Sequence, residues 1–456
     1  MPASPARAAS FDILLRVERD SAYTSELLHS AKYGRLSTAD HALTTELVMG
    51  VLRWRSRLDD EIAETSSQPI SKLDLEILIA LRLALYQLRW LDRIPPRAAI
   101  HEGVELVKRA RKRSAAPFLN AILRKLAAKS QSSRDTSHTL ESADSPEALA
   151  RAYAHPRWLV DRWTKDYGLL AARQVCEYNQ SIPTTTIRLR DPEIEAELAK
   201  QGIQLASPTL LASARRIQSG DISKTRAFRE GRVVIQDEAS QLVAALVGHG
   251  SQILDCCAAP GGKTRAMADR NPDASVTAVE LHPHRARLLQ TMLDPHKNLP
   301  GQEQSGNITI LVADVRALPA RSLFDRVLAD VPCSGTGTLA RNPEIKWRLT
   351  PDDLPELQAL QLLILRSALT HVAPGGRLIY STCSLEKEEN EDVVDQALAG
   401  NASFNLLDCR TELARLKAED ELISLDPSSL TRGPYLRTVP GIQPCDGFFV
   451  AILERV

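Results

Sequence analysis

The chain lacks any apolar run long enough to cross a membrane. A spanning helix needs about 18 consecutive apolar residues, and no stretch of the sequence approaches that length. The N-terminal residues read MPASPAR and are soon followed by charged residues such as Asp12 and Arg16, which is not the pattern of a secretory signal peptide. We therefore expect a cytoplasmic protein with no membrane partner.

The chain also lacks the cysteine spacing of a disulfide framework or a zinc site. It has seven cysteines, an odd number, and none of them forms a C-x-x-C pair. Paired, regularly spaced cysteines are what disulfide-rich and zinc-binding proteins require. We expect reduced thiols and no metal.

The chain has no net charge, since 57 Lys and Arg balance 57 Asp and Glu, but its charged residues are unevenly distributed along the sequence. Residues 1–135 hold 22 basic against 16 acidic residues, whereas residues 236–456 hold 21 against 29. A basic front half favours binding of a polyanion, and the cluster Arg109–Arg113 is a candidate phosphate patch. Chance variation in surface charge, together with the preference of cations for the C-terminal end of a helix, explains the same charge distribution equally well.

The length of 456 residues and the 43% hydrophobic content are typical of a soluble protein with about three domains of ~150 residues. Apolar residues at helical spacing predict a helical bundle over residues 1–130. A Ser/Thr-rich stretch, 131–146, predicts a flexible linker. Mixed patterns predict a small α+β domain over 147–235, and a third domain follows from 236 to 456.

Residues 236–456 alternate short apolar runs with helical patterns, which predicts a mostly parallel, doubly wound sheet. Ligands of such sheets gather at the carboxyl ends of the strands. Residues 410–445 carry no pattern that assigns them. The strands are predicted at Ile253–Asp255, Val276–Val279, Ile308–Val312, Arg326–Ala329, Arg377–Tyr380 and Phe448–Ile452.

The first of these strands runs into a glycine-rich loop, since residues 253–264 read ILDCCAAPGGKT. A P-loop would need a glycine where Cys257 stands, although Gly262-Lys263-Thr264 matches its end. A nucleoside cofactor is the favoured alternative, because an acid that binds ribose hydroxyls is expected about 20 residues beyond the loop. Glu280 ends the next strand at that distance, and Asp314, beyond the third strand, can accept hydrogen bonds from an adenine edge.

Two cysteines follow two later strands at the same predicted edge. Residues 329–335 read ADVPCSG and residues 380–384 read YSTCS, which places Cys333 and Cys383 in turns after strand ends. Thiols in such positions favour covalent catalysis by a thiolate over the alternative of small buried residues. For Cys176, Cys256, Cys409 and Cys445 we favour the buried alternative.

These motifs together resemble the RNA cytosine-C5 methyltransferases that use S-adenosyl-L-methionine. The resemblance also takes in QDEAS at 236–240, NPEIKW at 342–347, EEN at 388–390 and DGFF at 446–449, and it covers about half the chain. It implies a Rossmann-like class I methyltransferase sheet. Val331 departs from the family pattern, which usually has alanine there.

The resemblance also implies roles for individual residues. The nucleophile is Cys383, which attacks C6 of the cytosine, and Cys333 assists its release. The chemistry adds two candidates of our own: Asp330 for a carboxyl group at the N3/N4 edge of the base, and Lys263 as the nearest cation in sequence that can favour the thiolate. The implied cofactor residues are Cys257, Ala258, Ala259, Pro260, Gly261, Gly262, Lys263, Glu280, Asp314 and Asp330.

The basic front half resembles the NusB-like antitermination-factor fold, which binds RNA. The combination with PFLNAILR at 117–124 is similar to bacterial Sun-type enzymes, which methylate small-subunit ribosomal RNA. We expect a monomer acting on that RNA. Two alternatives stay open: a DNA cytosine methyltransferase using the Pro332-Cys333 cysteine, and an RNA-binding factor with a vestigial methyltransferase domain.

Overall fold

The computed structural model describes residues 3–30, 32–132, 143–293, 307–319, 323–424 and 426–456. The chain forms two compact units, one from residues 1–182 with 339–349 and the other from 183–338 with 350–456. The linker predicted at 131–146 falls largely on residues 133–142, outside the described ranges. The division into three domains and a linker stays a prediction, and the helices of residues 146–180 are grouped with the first unit.

The first unit is built from helices, and the all-helical prediction for residues 1–130 is confirmed. Helix α4 (Leu75–Trp90) is buried on every face from Ile77 to Gln87, which explains its continuous apolar sequence. Its buried Arg82 is balanced by an ion pair to Asp59 at 2.7 Å. The other helices are α1 (Pro5–Arg19), α2 (Thr24–Leu28), α3 (Thr38–Thr65), α5 (Pro96–Arg109), α6 (Ala116–Ser132), α7 (Pro146–Ala152), α8 (Arg157–Tyr167) and α9 (Leu169–Gln180).

A short segment from far along the chain, Leu339–Leu349, completes this unit. The Lys346 ammonium is buried and donates hydrogen bonds to the carbonyl oxygens of Arg53, at 2.8 Å, and Ala154, at 2.7 Å. Burial holds the pKa of Lys346 well below its ordinary value. Trp347 Nε1 donates to the carbonyl oxygen of Leu52. The NPEIKW motif is therefore part of the core of the helical unit.

The second unit begins with a four-stranded antiparallel sheet in the order β2-β3-β1-β4. Strands and helices are mixed here, in agreement with the α+β pattern predicted from the sequence. An apolar cluster that includes Ile187, Leu198 and Val233 packs beneath the sheet. The elements are β1 (Thr186–Leu189), α10 (Ile194–Lys200), β2 (Gln204–Ala206), β3 (Ala214–Ser219), α11 (Arg226–Arg229) and β4 (Val233–Ile235).

The second sheet of this unit has nine strands among the described residues. Eight lie in the order β11-β12-β13-β9-β8-β5-β6-β7, and β10 pairs with β13. The pairs within β7-β6-β5-β8-β9 are parallel, which confirms the predicted Rossmann-like arrangement. The strands are β5 (Gln252–Asp255), β6 (Ser275–Glu280), β7 (Ile308–Val312), β8 (Phe324–Asp330), β9 (Val372–Thr382), β10 (Phe404–Leu407), β11 (Thr431–Arg432), β12 (Tyr435–Thr438) and β13 (Phe448–Arg455).

The sheet beyond β9 is antiparallel, so it is mixed rather than parallel throughout. β13 pairs antiparallel with β9 and with β12, and residues 410–445, unassigned from sequence, supply a helix and two short strands. Of the described strands here, only β11 and β12 are joined by a tight turn, of two residues, as antiparallel neighbours allow. The helices of this part are α12 (Glu238–Val247), α13 (Gly262–Arg270), α14 (Pro283–Leu293), α15 (Asp353–Thr370), α16 (Glu391–Leu398) and α17 (Cys409–Ala418).

Across the described ranges, no helix is both long enough and apolar enough to cross a bilayer.

Candidate active site

The five parallel strands bring the residues predicted from sequence to one edge of the large sheet. Asp255, Glu280 and Asp330 are the last residues of β5, β6 and β8. Asp314 follows β7 by two residues, and Cys383 directly follows β9. Because carboxyl ends of parallel strands lie side by side, residues distant in sequence become neighbours here.

The glycine-rich loop joins β5 to the start of α13. Gly261 has φ +116°, and a Cβ there would lie 2.8 Å from Leu289 Cδ1, so this position requires glycine. At the loop entrance, Asp255 accepts a hydrogen bond from Thr264 Oγ1 at 2.7 Å. Burial raises the pKa of Asp255 to about 7, since it disfavours the charged carboxylate more than this hydrogen bond favours it.

A cavity of about 90 Å³ lies at the ends of β5, β6 and β7. Its lining includes Cys257, Glu280 and Asp314 together with the apolar side chains of Leu360 and Ile364. The structure thus brings together three of the predicted cofactor residues. Ala258 through Lys263 and Asp330 do not line this cavity.

The two acids of the cavity are held differently. Glu280 is buried, and its Oε1 accepts a hydrogen bond from the backbone N–H of His282 at 3.0 Å. Asp314 accepts two hydrogen bonds from the Arg316 guanidinium, with Nη2 at 2.6 Å from Oδ2 and Nε at 2.9 Å from Oδ1. The Arg316 side chain holds the pKa of Asp314 below its ordinary value.

Lys263 and Asp330 form a partly buried ion pair in front of β8. Lys263 Nζ lies 2.8 Å from Asp330 Oδ2, and Ser381 Oγ on β9 donates to Asp330 Oδ1 at 2.6 Å. Burial alone would lower the pKa of Lys263, but the attraction of Asp330, with a smaller contribution from Cys383, raises it. The lysine is therefore positively charged and acts electrostatically on Cys383.

The two predicted catalytic thiols lie together. Cys333 Sγ and Cys383 Sγ are 3.3 Å apart, and both side chains are only partly buried. The pKa of Cys333 is raised well above its ordinary value, first by its hydrogen bond with Cys383 and then by burial. A raised pKa favours the protonated form of the Cys333 thiol.

Close backbone packing fixes the loops that carry these thiols. Gly337 N donates to the carbonyl oxygen of Cys383 at 2.9 Å, and Gly447 N donates to the carbonyl oxygen of Gly337 at 2.8 Å. A Cβ on Gly337 would lie 2.3 Å from the Gly447 carbonyl oxygen, so only glycine fits. Gly337, two residues beyond ADVPCSG, and Gly447 of DGFF thus meet beside the thiols.

Other cysteines are placed as small core residues. Cys176, Cys256, Cys409 and Cys445 are buried. Burial raises the pKa of each thiol, and to about 12 for Cys176 and Cys409. A thiol that keeps its proton is a poor nucleophile.

Sequence reasoning missed three residues of the site. Arg316 covers Asp314, Ser381 binds Asp330, and the Glu389 carboxylate accepts from the backbone N–H of Ser334 at 2.7 Å. Ser381 and Glu389 stand inside motifs that the resemblance includes, so their position was available from sequence. Their partners were not, because these depend on how neighbouring loops fold back.

Comparison with known families matches both parts of the chain. Residues 244–454 match the sequence model of "16S rRNA methyltransferase RsmB/F", and residues 4–128 match that of the "NusB family". The second match agrees with the NusB-like bundle predicted for the front half.

Solved structures agree on the fold. The structure of PH0851 covers 99% of this chain and of its own, with a TM-score of 0.78 at 22% identity. A methyltransferase homolog from Pyrococcus horikoshii is 25% identical and covers 71% of this chain, with a TM-score of 0.53.

Curated relatives match over the full length. A probable ribosomal RNA small subunit methyltransferase B of Bacillus subtilis is 32% identical over 473 residues, covering 100% of both chains. The ribosomal RNA small subunit methyltransferase B of Escherichia coli is 32% identical over 434 residues, covering 92% of each. The chain therefore belongs to the ribosomal RNA small subunit methyltransferase B family.

Proposed function

We propose that this methyltransferase transfers a methyl group to C5 of a cytosine in small-subunit (16S) ribosomal RNA through a covalent cysteine–cytosine adduct. The observation that carries the proposal is the 3.3 Å approach of Cys333 Sγ and Cys383 Sγ, with the Lys263–Asp330 ion pair at the same edge. The relatives' printed names support the RNA substrate.

S-adenosyl-L-methionine is the methyl donor, and the cavity chemistry fits it. Glu280 can accept hydrogen bonds from ribose hydroxyls, and Asp314 from an adenine amino group. Leu360 and Ile364 offer apolar surface to a base. When bound, this cofactor supplies an electrophilic methyl group. The Arg316 guanidinium already donates hydrogen bonds to the Asp314 carboxylate. At least one of these bonds must therefore break for the adenine amino group to bind there.

Cys383 acts as the nucleophile in this proposal. Its thiolate adds to C6 of the cytosine, and the electron pair of the C5–C6 double bond makes C5 nucleophilic. The charged Lys263 favours the thiolate electrostatically. A competing DNA-type mechanism would use Cys333, whose raised pKa disfavours that role.

In this proposal Asp330 binds the cytosine, and Cys333 assists the release of the methylated product. Asp330 is oriented by Lys263 and Ser381, and a carboxylate with about four acceptor sites can still receive a hydrogen bond from the cytosine N4 amino group. After methylation, a base removes the C5 proton, the electron pair of that C–H bond re-forms the C5–C6 double bond, and the C6–S bond breaks to return Cys383 as a thiolate. Cys333 assists this release.

Basic surfaces of both units support RNA binding. In the helical unit, a groove of about 780 Å³ is lined by Arg97, His101, Lys108 and Arg124 among others. The Arg109–Arg113 patch is partly neutralised, because Arg109 pairs with Asp12 and Lys112 with Asp74. We therefore assign phosphate contacts first to the groove.

The small sheet offers a second arginine-lined surface in the other unit. The cavity beside it has a volume of about 320 Å³, and each of its arginines is paired with an acid: Arg188 and Arg190 with Asp269, Arg215 with Glu195, and Arg270 with Glu421. We assign it an RNA-positioning role. The proposal includes a monomeric, cytoplasmic enzyme without a membrane partner.

The test is methylation of unmodified small-subunit ribosomal RNA, free or in particles, by the purified protein and S-adenosyl-L-methionine. Digested nucleosides are then analysed by mass spectrometry. We expect 5-methylcytidine at a single position. Methylation on N4, or RNA binding without any methylation, would overturn the proposal.

A further inference from the structure

A carboxylate outside the proposed catalytic set lies behind the two thiols. Glu389 is buried in a short turn, Lys387–Glu389, that follows the Cys383 loop. Oε1 accepts hydrogen bonds from the backbone N–H of Ser334 at 2.7 Å and from Gln361 Nε2 at 2.8 Å. Oε2 accepts from the hydroxyls of Ser334 and Ser384.

These donors immediately follow the two cysteines in sequence. Ser334 is the residue after Cys333, and Ser384 is the residue after Cys383. One carboxylate therefore ties together the two loops whose sulfur atoms lie 3.3 Å apart. Gln361 strengthens the connection, because the same amide also donates to the carbonyl oxygen of Pro332 at 2.9 Å.

The backbone of Glu389 is held as firmly as its side chain. Its carbonyl oxygen accepts a hydrogen bond from the buried Tyr380 hydroxyl at 2.6 Å. A carboxylate offers about four acceptor sites, and four donors fill them here. No ion pair to Glu389 is found among the described residues, so hydrogen bonds alone compensate its burial. Such a fully satisfied buried network fixes geometry, since breaking any member leaves an unpaired group.

We propose that Glu389 is a positioning residue that sets the separation of Cys333 and Cys383. This positioning role rests on the proposed covalent mechanism, in which Cys383 must reach C6 while Cys333 remains close enough to assist the release of the Cys383 sulfur. A fixed spacing serves both steps. Glu389 touches neither the cofactor cavity lining nor the Lys263–Asp330 pair, so its loss should affect turnover rather than cofactor binding.

The test compares Glu389→Gln with the wild type and with Lys387→Ala, an exposed change in the same turn. Glutamine keeps the shape of the side chain. One carboxylate oxygen, however, becomes an amide NH₂ group that donates hydrogen bonds and faces other donors. We expect turnover to fall roughly tenfold to a hundredfold, as for loss of a charge-assisted hydrogen bond. The dissociation constant for S-adenosyl-L-methionine should stay within about twofold. Lys387→Ala should keep wild-type turnover.

A second readout reports the spacing of the thiols directly. Diamide oxidation of the Cys333–Cys383 pair, followed by mass spectrometry well below the melting temperature, should be at least about fivefold slower in Glu389→Gln. Equal oxidation rates and equal turnover would overturn the proposal. If Glu389→Gln does not fold, Ser384→Ala, which removes a single donor, gives the same two readouts with smaller changes.

The outcomes separate this inference from the proposed function. A wild type that forms no adduct with 5-fluorocytosine RNA contradicts the covalent mechanism itself. A wild type that forms the adduct, beside a Glu389→Gln variant that forms and releases it equally fast, contradicts only the positioning role.

Discussion

The thiol half and the cofactor half of the sheet edge are organised differently. At the ends of β8 and β9, side chains bind across strands: Lys263 and Ser381 hold Asp330, and Glu389 joins both cysteine loops. At the ends of β6 and β7, the acids bind within their own turns, Glu280 to His282 and Asp314 to Arg316.

This difference separates a preorganised region from one that adjusts to its ligand. The thiol half holds its groups at distances suited to chemistry before substrate arrives, which is what catalysis by fixed charges requires. The cofactor half encloses only about 90 Å³, below the roughly 300 Å³ of ordinary ligand sites. We therefore expect side chains of the cofactor half to move when the methyl donor binds.

The largest effect is expected from removing the nucleophile of the thiol half. Cys383→Ala should reduce methyl transfer at least ~10³-fold, because the proposed mechanism assigns the attack on C6 to this thiol alone. The variant should also form no adduct with 5-fluorocytosine RNA on a denaturing gel. Cys176→Ala, a buried thiol of the helical unit, is the control and should remain active. Residual activity near one-tenth of the wild type would rule out the assigned nucleophile.

The second-largest effect is expected from removing the positive charge of Lys263 beside the Cys383 thiol. Lys263→Met should reduce kcat by about 10²-fold, since it removes the cation that favours the thiolate and leaves Asp330 without its ion-pair partner. Lys263→Arg should recover part of the rate. Single-turnover rates measure the effect. Equal rates for the methionine variant and the wild type would show that the field of Lys263 is irrelevant.

The other thiol should have a smaller and different effect. Cys333→Ala should lower turnover about 10–100-fold while the covalent protein–RNA adduct accumulates, because attack remains possible and release is impaired. Denaturing gels with unmodified RNA and S-adenosyl-L-methionine detect the adduct. Loss of the adduct in this variant would reverse the roles of the two cysteines.

Asp255, between the two halves, should make stability depend on pH. A carboxyl pKa raised from 3.8 to about 7 means that the native state binds the proton more tightly than the unfolded chain. Its favourable contribution is complete below pH 4 and is lost as pH rises to 7. The melting temperature of the wild type should therefore fall by several degrees more between pH 5 and 8 than that of Asp255→Asn. Parallel curves would contradict the raised pKa.

The smallest effect is expected in the cofactor half, at the ends of β6 and β7. Arg316→Ala frees Asp314 from an exposed ion pair, which is worth about 0–1 kcal/mol. Affinity for S-adenosyl-L-methionine should rise up to about fivefold. Asp314→Ala should instead weaken it about tenfold. Calorimetric titration compares both with the wild type, and weaker binding by Arg316→Ala would show that the arginine contacts the cofactor.

The site residues that lie at strand ends could be predicted from the sequence. The contacts that depend on how loops fold back on one another could not. Cys333, Cys383, Glu280 and Asp314 follow apolar runs, so parallel pairing alone brings them to one edge. The link from Glu389 to the Cys333 loop joins residues 55 positions apart, which no periodicity encodes.

The same limit explains two differences in the fold. The strands after β9 are short and separated by irregular segments, so their antiparallel pairing with β13 left little pattern to read. The NPEIKW segment lies between elements of the large sheet in sequence, yet its Lys346 is buried in the helical unit. Its polar residues gave no sign of burial, because lysine is almost never buried unless paired.

Mapping the cross-linked residue tests the central claim most directly. RNA containing 5-fluorocytosine at the target position is incubated with the wild-type protein and S-adenosyl-L-methionine, and the trapped complex is digested and sequenced by mass spectrometry. We predict that the nucleotide is attached to the peptide that contains Cys383. Attachment to the peptide that contains Cys333, or no attachment while 5-methylcytidine is still produced from ordinary RNA, would contradict the account.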